Sequence, residues 1–168
     1  MQVRQSSVRG SRPWCPADRT HRVHAHGSYH RYAKADGPET IRIERWLCSV
    51  CGGTISVIPD NRLPYRVVDA DLTMRWFDHL LHGRAPPETM TEKEGGCLKR
   101  TFTRFTQHIP RLTRALGQIL TTFTTTAAQL WTQLRQGRNP GEILRFLADD
   151  FKTSLAGDYA CLRQWPVP

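Results

Sequence analysis

Between Trp14 and Arg66 the apolar residues come in short runs broken by turn residues, and beyond Pro64 they come at helical spacing. In TIRIERWL, residues 40–47, Ile41 and Ile43 fall on one side while Arg42 and Glu44 fall on the other, the period of two that defines a half-buried strand. SYHRYA before the Gly-Pro turn at 37–38 and ISVIP from 55 read as further short β segments. Past residue 66, Asp69 or Asp71 predicts the cap of a helix carrying Leu72, Trp76 and Leu80, stopped by Gly83 ahead of Pro86 and Pro87. Residues 84–97 read as a polar linker. A second helical pattern starts near Ile109 and Pro110, with Leu112, Leu116, Ile119, Phe123, Ala127, Leu130 and Leu134 recurring on one face. The threonine-rich patch TTFTTT lowers helix propensity within it and marks a candidate break. Gly137 then reads as a stop, and Asn139, Pro140 and Glu142 as the start signal of the next helix. A last short helix is expected from Ser154, packing through Leu155, Tyr159 and Leu162. Three helices joined by tight turns are the minimum frame of a helix-turn-helix.

These patterns divide the chain into a flexible basic arm (1–13), a small β module (14–68), a helix with a polar linker (69–97) and a helical region with a candidate helix-turn-helix (98–168). With 168 residues, such a chain buries one moderate core or two small ones, too little for a multidomain catalytic machine.

Charge narrows the choice of partner. The net charge is +9 and the pI about 9.9, which favours polyanions. From Leu98 to Arg138 there are seven basic residues, Lys99, Arg100, Arg104, Arg111, Arg114, Arg135 and Arg138, and no acidic one, a segment suited to phosphate wherever those side chains share a face. No run is apolar enough to span a membrane, and the opening residues lack the apolar core of a secretory signal. Five cysteines, an odd count, favour metal or thiol chemistry in a reducing, cytoplasmic setting over a disulfide framework.

The sharpest chemical signal is Cys48-Ser-Val-Cys51-Gly52-Gly53. Two thiolates three positions apart on a tight turn converge on one tetrahedral ion. A redox dithiol uses the same spacing but sits at the start of a helix, whereas this pair lies between two expected strands. Upstream, Cys15 opens a matching run, Cys-Pro-Ala-Asp, in which Asp18 stands where a second cysteine would complete the pattern. His21 is the nearest substitute. Because Zn2+ takes imidazole more readily than carboxylate in closed structural sites, Cys15, His21, Cys48 and Cys51 are the preferred set, with Asp18 as the alternative fourth ligand and a site that binds no metal as the third reading. Of the neighbouring His24, His26 and His30, the first two read as polar positions without a ligand role. Cys97 and Cys161 lack a partner pattern and read as small buried residues or free thiols.

Taken together, Trp14-Cys15-Pro16, then His26-Gly27-Ser28-Tyr29-His30-Arg31, then IRIERWLCSVCGGTISVIPDNRLPYR resemble the N-terminal zinc-ribbon-like domain of an uncharacterised, transposase-associated bacterial family. The likeness covers about residues 14–70. It implies DNA binding or transposition, a ribbon preceding a helix-turn-helix, and Cys15, Cys48 and Cys51 as zinc ligands. Phe151-Lys152-Thr153-Ser154 followed by Leu162-Arg163-Gln164-Trp165 is similar to the turn and recognition helix of mobile-element proteins.

The leading expectation is therefore a DNA-binding protein without autonomous catalysis, RNA being the other nucleic acid that fits the charge. Arg31, Lys34, Arg42, Arg45, Arg62 and Arg66 would contact phosphate, and Lys152, Arg163 and Gln164 would enter a groove. Two alternatives stand beside it. One is a truncated transposase or nuclease fragment, which would need convergent carboxylates that Asp69, Asp71, Asp78, Glu92, Glu94, Asp149, Asp150 and Asp158 are poorly placed to supply. The other is a helical module with a structural zinc site that binds a protein partner or a second copy of itself.

Overall fold

A computed structural model describes residues 2–3, 12–59, 61–63, 66–117, 126–151 and 153–158. Strands β2 (Val23–Tyr32), β3 (Thr40–Cys48) and β4 (Thr54–Val57) form an antiparallel sheet, and β1 (Gln2–Val3) adds to β4 in parallel. The order β1-β4-β3-β2 puts the alternating segment at 40–48 in the interior, where both its edges are paired. Its alternation is realised: Ile43 is fully buried while Arg42 and Glu44 are exposed.

Among the described residues four helices follow: α1 (Ala70–His82), α2 (Glu92–Leu116), α3 (Ala127–Arg135) and α4 (Pro140–Phe151). α1 begins and ends at the expected signals, with the Asp69 carboxylate accepting the Leu72 N–H at 2.7 Å and Gly83 closing the C-terminus in the left-handed region. α2 starts well before Ile109. Thr91 and Glu94 make a reciprocal capping box, so the polar run from 92 is the first turns of a 25-residue helix and the linker is shorter than the sequence suggests. Pro110 lies inside α2, and its apolar stripe, Leu98, Phe105, Leu112 and Leu116, extends the pattern backwards. The threonine patch does contain a helix boundary: α3 begins anew behind a second capping box, Thr126 with Gln129. Ile119 and Phe123 lie outside the described residues. α4 begins as expected, Asn139 and Glu142 each accepting the other's backbone N–H at 3.0 and 2.8 Å.

Over the described residues 153–158 the helix expected from Ser154 is not formed, and Tyr159 and Leu162 lie outside them. Thr153–Ser154 and Gly157–Asp158 pair instead as a two-stranded hairpin, β5–β6. Gly157 has φ +132°, a conformation open to glycine and strained for other residues, and Ser154 Oγ donates to its carbonyl at 2.6 Å. The hairpin packs back on α4 and α2, burying Leu155, and the chain from 159 lies outside the described residues. The recognition helix expected around Leu162–Trp165 lies outside the described residues.

Two apolar cores result. The larger one lies among the helices around Phe77, whose ring meets Phe105 at 4.9 Å and Phe102 and Trp131 at 5.2 Å between centroids. The smaller is Cys15, Val23, Cys48 and Ile55 with Trp46 against them. Arg31 and Arg62 tie the sheet to the segment before α1: Arg31 donates to the carbonyls of Leu63 and Arg66, and Arg62 to that of Ala33.

Candidate metal centre

The small core is thin for a β module, and two of its four buried residues are cysteines. Burial of so little apolar surface does not by itself fix a sheet of this length, so the polar sulfur atoms gathered there need a structural account. Pairing supplies their position. Val23 sits opposite Cys48 in the β2–β3 register, which lays the loop ahead of β2 beside the turn after β3. Ser49 N and Oγ both donate to the Arg22 carbonyl, at 3.0 and 3.1 Å, and lock the two loops together. In the Cys48–Cys51 knuckle the Gly52 N–H donates to the Cys48 carbonyl at 3.0 Å, and Gly52 takes φ +67°, which turns the chain back into β4.

Cys15, His21, Cys48 and Cys51 converge there, their ligand atoms all within 4.8 Å of one another. Cys15 Sγ lies 3.6 Å from Cys51 Sγ, and His21 Nδ1 lies 3.7 Å from Cys48 Sγ. With Zn–S about 2.3 Å and Zn–N about 2.0 Å, a tetrahedron has sulfur–sulfur edges of about 3.8 Å and sulfur–nitrogen edges of about 3.5 Å. Donor types and spacing both fit, and the cluster is consistent with a structural Zn2+ site. Cys15 and Cys48 are buried, His21 is half-buried and Cys51 is exposed.

Asp18 stands outside this set. Its Oδ1 accepts the Thr20 N–H and hydroxyl, each at 2.8 Å, and its Oδ2 faces His21 Nε2 at 3.9 Å. The backbone and side-chain bonds from Thr20 hold its carboxyl below the usual value. The carboxylate thus lies on the Nε2 side of the imidazole, beyond hydrogen-bond distance, while Nδ1 faces Cys48 Sγ. His24, His26 and His30 are exposed on β2 and belong to no ligand cluster. Among the described residues this is the one group of three or more such side chains with converging ligand atoms.

The cluster's electrostatics are uneven. Burial raises the Cys48 thiol, but N–H donation from Cys51 and Val50, with sulfur hydrogen bonding from Cys51 and Cys15, outweighs it and brings the group down to about 6. Cys51 is pushed up to about 11, first by burial and then by the neighbouring sulfurs, against donation from Gly53. One thiolate is favoured and its neighbour keeps a proton, the state expected where a cation is needed to hold several sulfurs ionised together.

The basic residues expected to meet phosphate are dispersed. Arg31 and Arg62 are engaged with backbone carbonyls, Lys34 pairs with Glu39 at 3.3 Å, Arg66 is half-buried, Arg45 is half-buried on β3 and Arg42 is exposed. Lys152, Arg163 and Gln164 lie outside the described residues. Part of the acid-free basic run of the sequence falls on α2. There Lys93, Arg100, Arg104, Arg111 and Arg114 are all exposed, and at 3.6 residues per turn they fall within an arc of about 80°. The acid-free run of the sequence was the available signal; the longer helix aligns it.

Four of the acidic residues have structural partners. Asp69 caps α1, Asp71 pairs with Arg75 at 2.9 Å, Glu94 closes the α2 box, and Asp78 is buried against Trp131 and Arg135. No helix among the described residues is long and apolar enough to cross a membrane. No protein-family model matches the chain, and no curated protein and no solved structure matches it. The likeness to transposase-associated domains therefore rests on the residues of the module alone.

Proposed function

We propose that this chain is a non-catalytic binding module in which zinc is structural, stapling the sheet that the small core cannot hold alone. The observation that carries this reading is the donor set: three sulfurs and one imidazole nitrogen gather within 4.8 Å of one another, enough donors for all four positions of a tetrahedral ion, whereas a catalytic zinc keeps one position for water or substrate. When bound, the ion supplies cross-linking of the loop before β2 to the turn after β3. Cys15, Cys48 and Cys51 hold it as thiolates, and His21 through Nδ1.

The partner is a macromolecule. The charge of +9 favours nucleic acid, DNA in the first instance, and the module's resemblance to DNA-directed proteins agrees with it. The four-helix core offers the second reading, a protein partner on the helical half, favoured by Leu80, which stays 43% exposed on a helix whose other apolar residues pack inward. Titrating the zinc-loaded chain against a DNA duplex at two salt concentrations separates them: phosphate binding weakens steeply with salt, and an apolar protein interface does not. Hydrolysis of the duplex by the purified chain would overturn the non-catalytic assignment.

A further inference from the structure

We infer that Cys51 is a modification site for hydroperoxides, and that its oxidation exchanges the ion's link between two loops for a Cys15–Cys51 disulfide. This rests on the zinc reading above and adds the regulation of the same site. The three thiols are not equivalent: Cys15 and Cys48 are each 1% exposed, whereas Cys51 is open to solvent. Its surroundings leave it so. Val50 beside it on the knuckle is itself 64% exposed, and Gly53 has no side chain where a Cβ would stand 3.3 Å from Cys51 Sγ. A peroxide arriving from solvent therefore meets the Cys51 sulfur first, and access together with thiolate character decides which cysteine oxidises.

Position selects the second sulfur. Cys15 Sγ lies 3.6 Å from Cys51 Sγ. Cys48 is directed elsewhere: its Sγ accepts the Cys51 N–H at 3.4 Å and faces His21 Nδ1 at 3.7 Å. In the first step the Cys51 thiolate attacks a peroxide oxygen. The O–O bond breaks, one oxygen stays on sulfur as a sulfenic acid and the other leaves as hydroxide. The Cys15 thiolate then attacks the Cys51 sulfur, the S–S bond forms and a second hydroxide leaves, so two sulfurs give up two electrons to one peroxide. With two of its four donors consumed, the ion is released and Cys48 and His21 are left unbridged. The product still ties the loop ahead of β2 to the turn after β3, because Cys15 and Cys51 stand 36 positions apart. A Cys48–Cys51 disulfide, closing three positions within one knuckle, would tie nothing across.

Hydrogen peroxide added to the full zinc-loaded chain, with a chromogenic zinc chelator present and disulfides mapped by mass spectrometry of the unreduced digest, tests this. Expected are loss of the bound zinc relative to an untreated control, a cross-linked Cys15–Cys51 peptide, and recovery of the zinc-bound form when dithiothreitol and zinc are supplied. Cys51→His keeps a zinc donor without the exposed sulfur, and is expected to hold zinc and to lose the peroxide-driven release. Zinc content read before peroxide separates the two claims: a chain without zinc overturns the metal reading and this inference with it. A zinc-loaded chain that keeps its ion under peroxide, oxidises at Cys97 or Cys161 instead, or links Cys48 to Cys51 overturns the inference alone. So does continued release from a folded, zinc-bound Cys51→His chain. The wild-type disulfide map decides the matter even where that variant fails to fold.

Discussion

Asp78 on α1 accepts the indole N–H of Trp131 on α3 at 2.7 Å, inside the helical core and across 53 residues of chain. Its second oxygen accepts from Arg135 at 3.0 Å and Arg84 at 3.2 Å, so a carboxylate that is 4% exposed meets two guanidinium groups and an indole. Asp78→Ala leaves the Trp131 N–H and the Arg135 charge without their acceptor. Leaving a buried donor without its acceptor costs about 1–3 kcal/mol, a sizeable part of the 5–15 kcal/mol that holds a typical domain together. Urea unfolding of the helical half, followed by tryptophan fluorescence, is expected to show that loss. Asp78→Asn, which keeps one acceptor oxygen, is expected to lose less.

Asp18 separates a neighbouring carboxylate from a ligand. It lies 3.9 Å from Nε2 of His21, is held by Thr20 and stands outside the converging donor set. Asp18→Ala is expected to keep one zinc per chain and to weaken affinity by less than the roughly 10–100-fold that follows loss of a hydrogen-bonded support. His21→Ala removes a donor and is expected to lower the stoichiometry at limiting zinc. Chelator competition measures both, and equal losses would place Asp18 on the metal.

Proton release follows from the sulfur electrostatics. At pH 7.5 Cys48, near 6, is already ionised, while Cys51, near 11, keeps its proton and gives it up on binding zinc. Affinity therefore rises with pH from 7 to 9 and falls further as pH drops through about 6, where Cys48 also becomes protonated. Calorimetry in two buffers of different ionisation enthalpy counts the protons. Cys51→Ser is expected to release at least one fewer than wild type; an unchanged count would contradict the assignment.

Gly157 tests the terminal hairpin. With φ +132° it occupies backbone space that a Cβ makes costly, although nothing lies within 4 Å of the position such an atom would take. Gly157→Ala is expected to destabilise by about 1–3 kcal/mol through backbone strain alone, read as a lower urea midpoint at constant m-value. No change in midpoint would show that the hairpin relaxes freely.

How far the sequence discloses this molecule depends on how local each signal is. The caps at Asp69, Gly83 and Asn139 act within three or four residues and are legible, as is the alternation around Ile43. Cys48 and Cys51 share one turn and are found by spacing, and His21 is reached because Asp18 leaves a donor missing. Thr91 and Glu94 also form a local signal, but it lies in a run polar enough to resemble a linker, which hides the first turns of α2. With them goes the alignment of Lys93 and Arg100 with Arg104, which is visible only when 92–116 is one helix. The roles of Arg31 and Arg62 could not be read locally at all, since their acceptors lie about thirty residues away and exist only once the sheet docks on the segment before α1. Ser154 is the opposite case: a helical spacing begins at Leu155, and the described residues 153–158 turn back at Gly157 as a hairpin.

The central claim, a closed zinc staple, is tested most directly by the metal content and cobalt spectrum of the purified chain. One zinc per chain is expected, and Co2+ substitution should give the intense d–d bands of a tetrahedral site with three thiolates, lost in Cys48→Ser along with the fold of residues 14–58. A well-folded wild-type chain that takes up no metal, or a Co2+ spectrum of octahedral intensity, would contradict it.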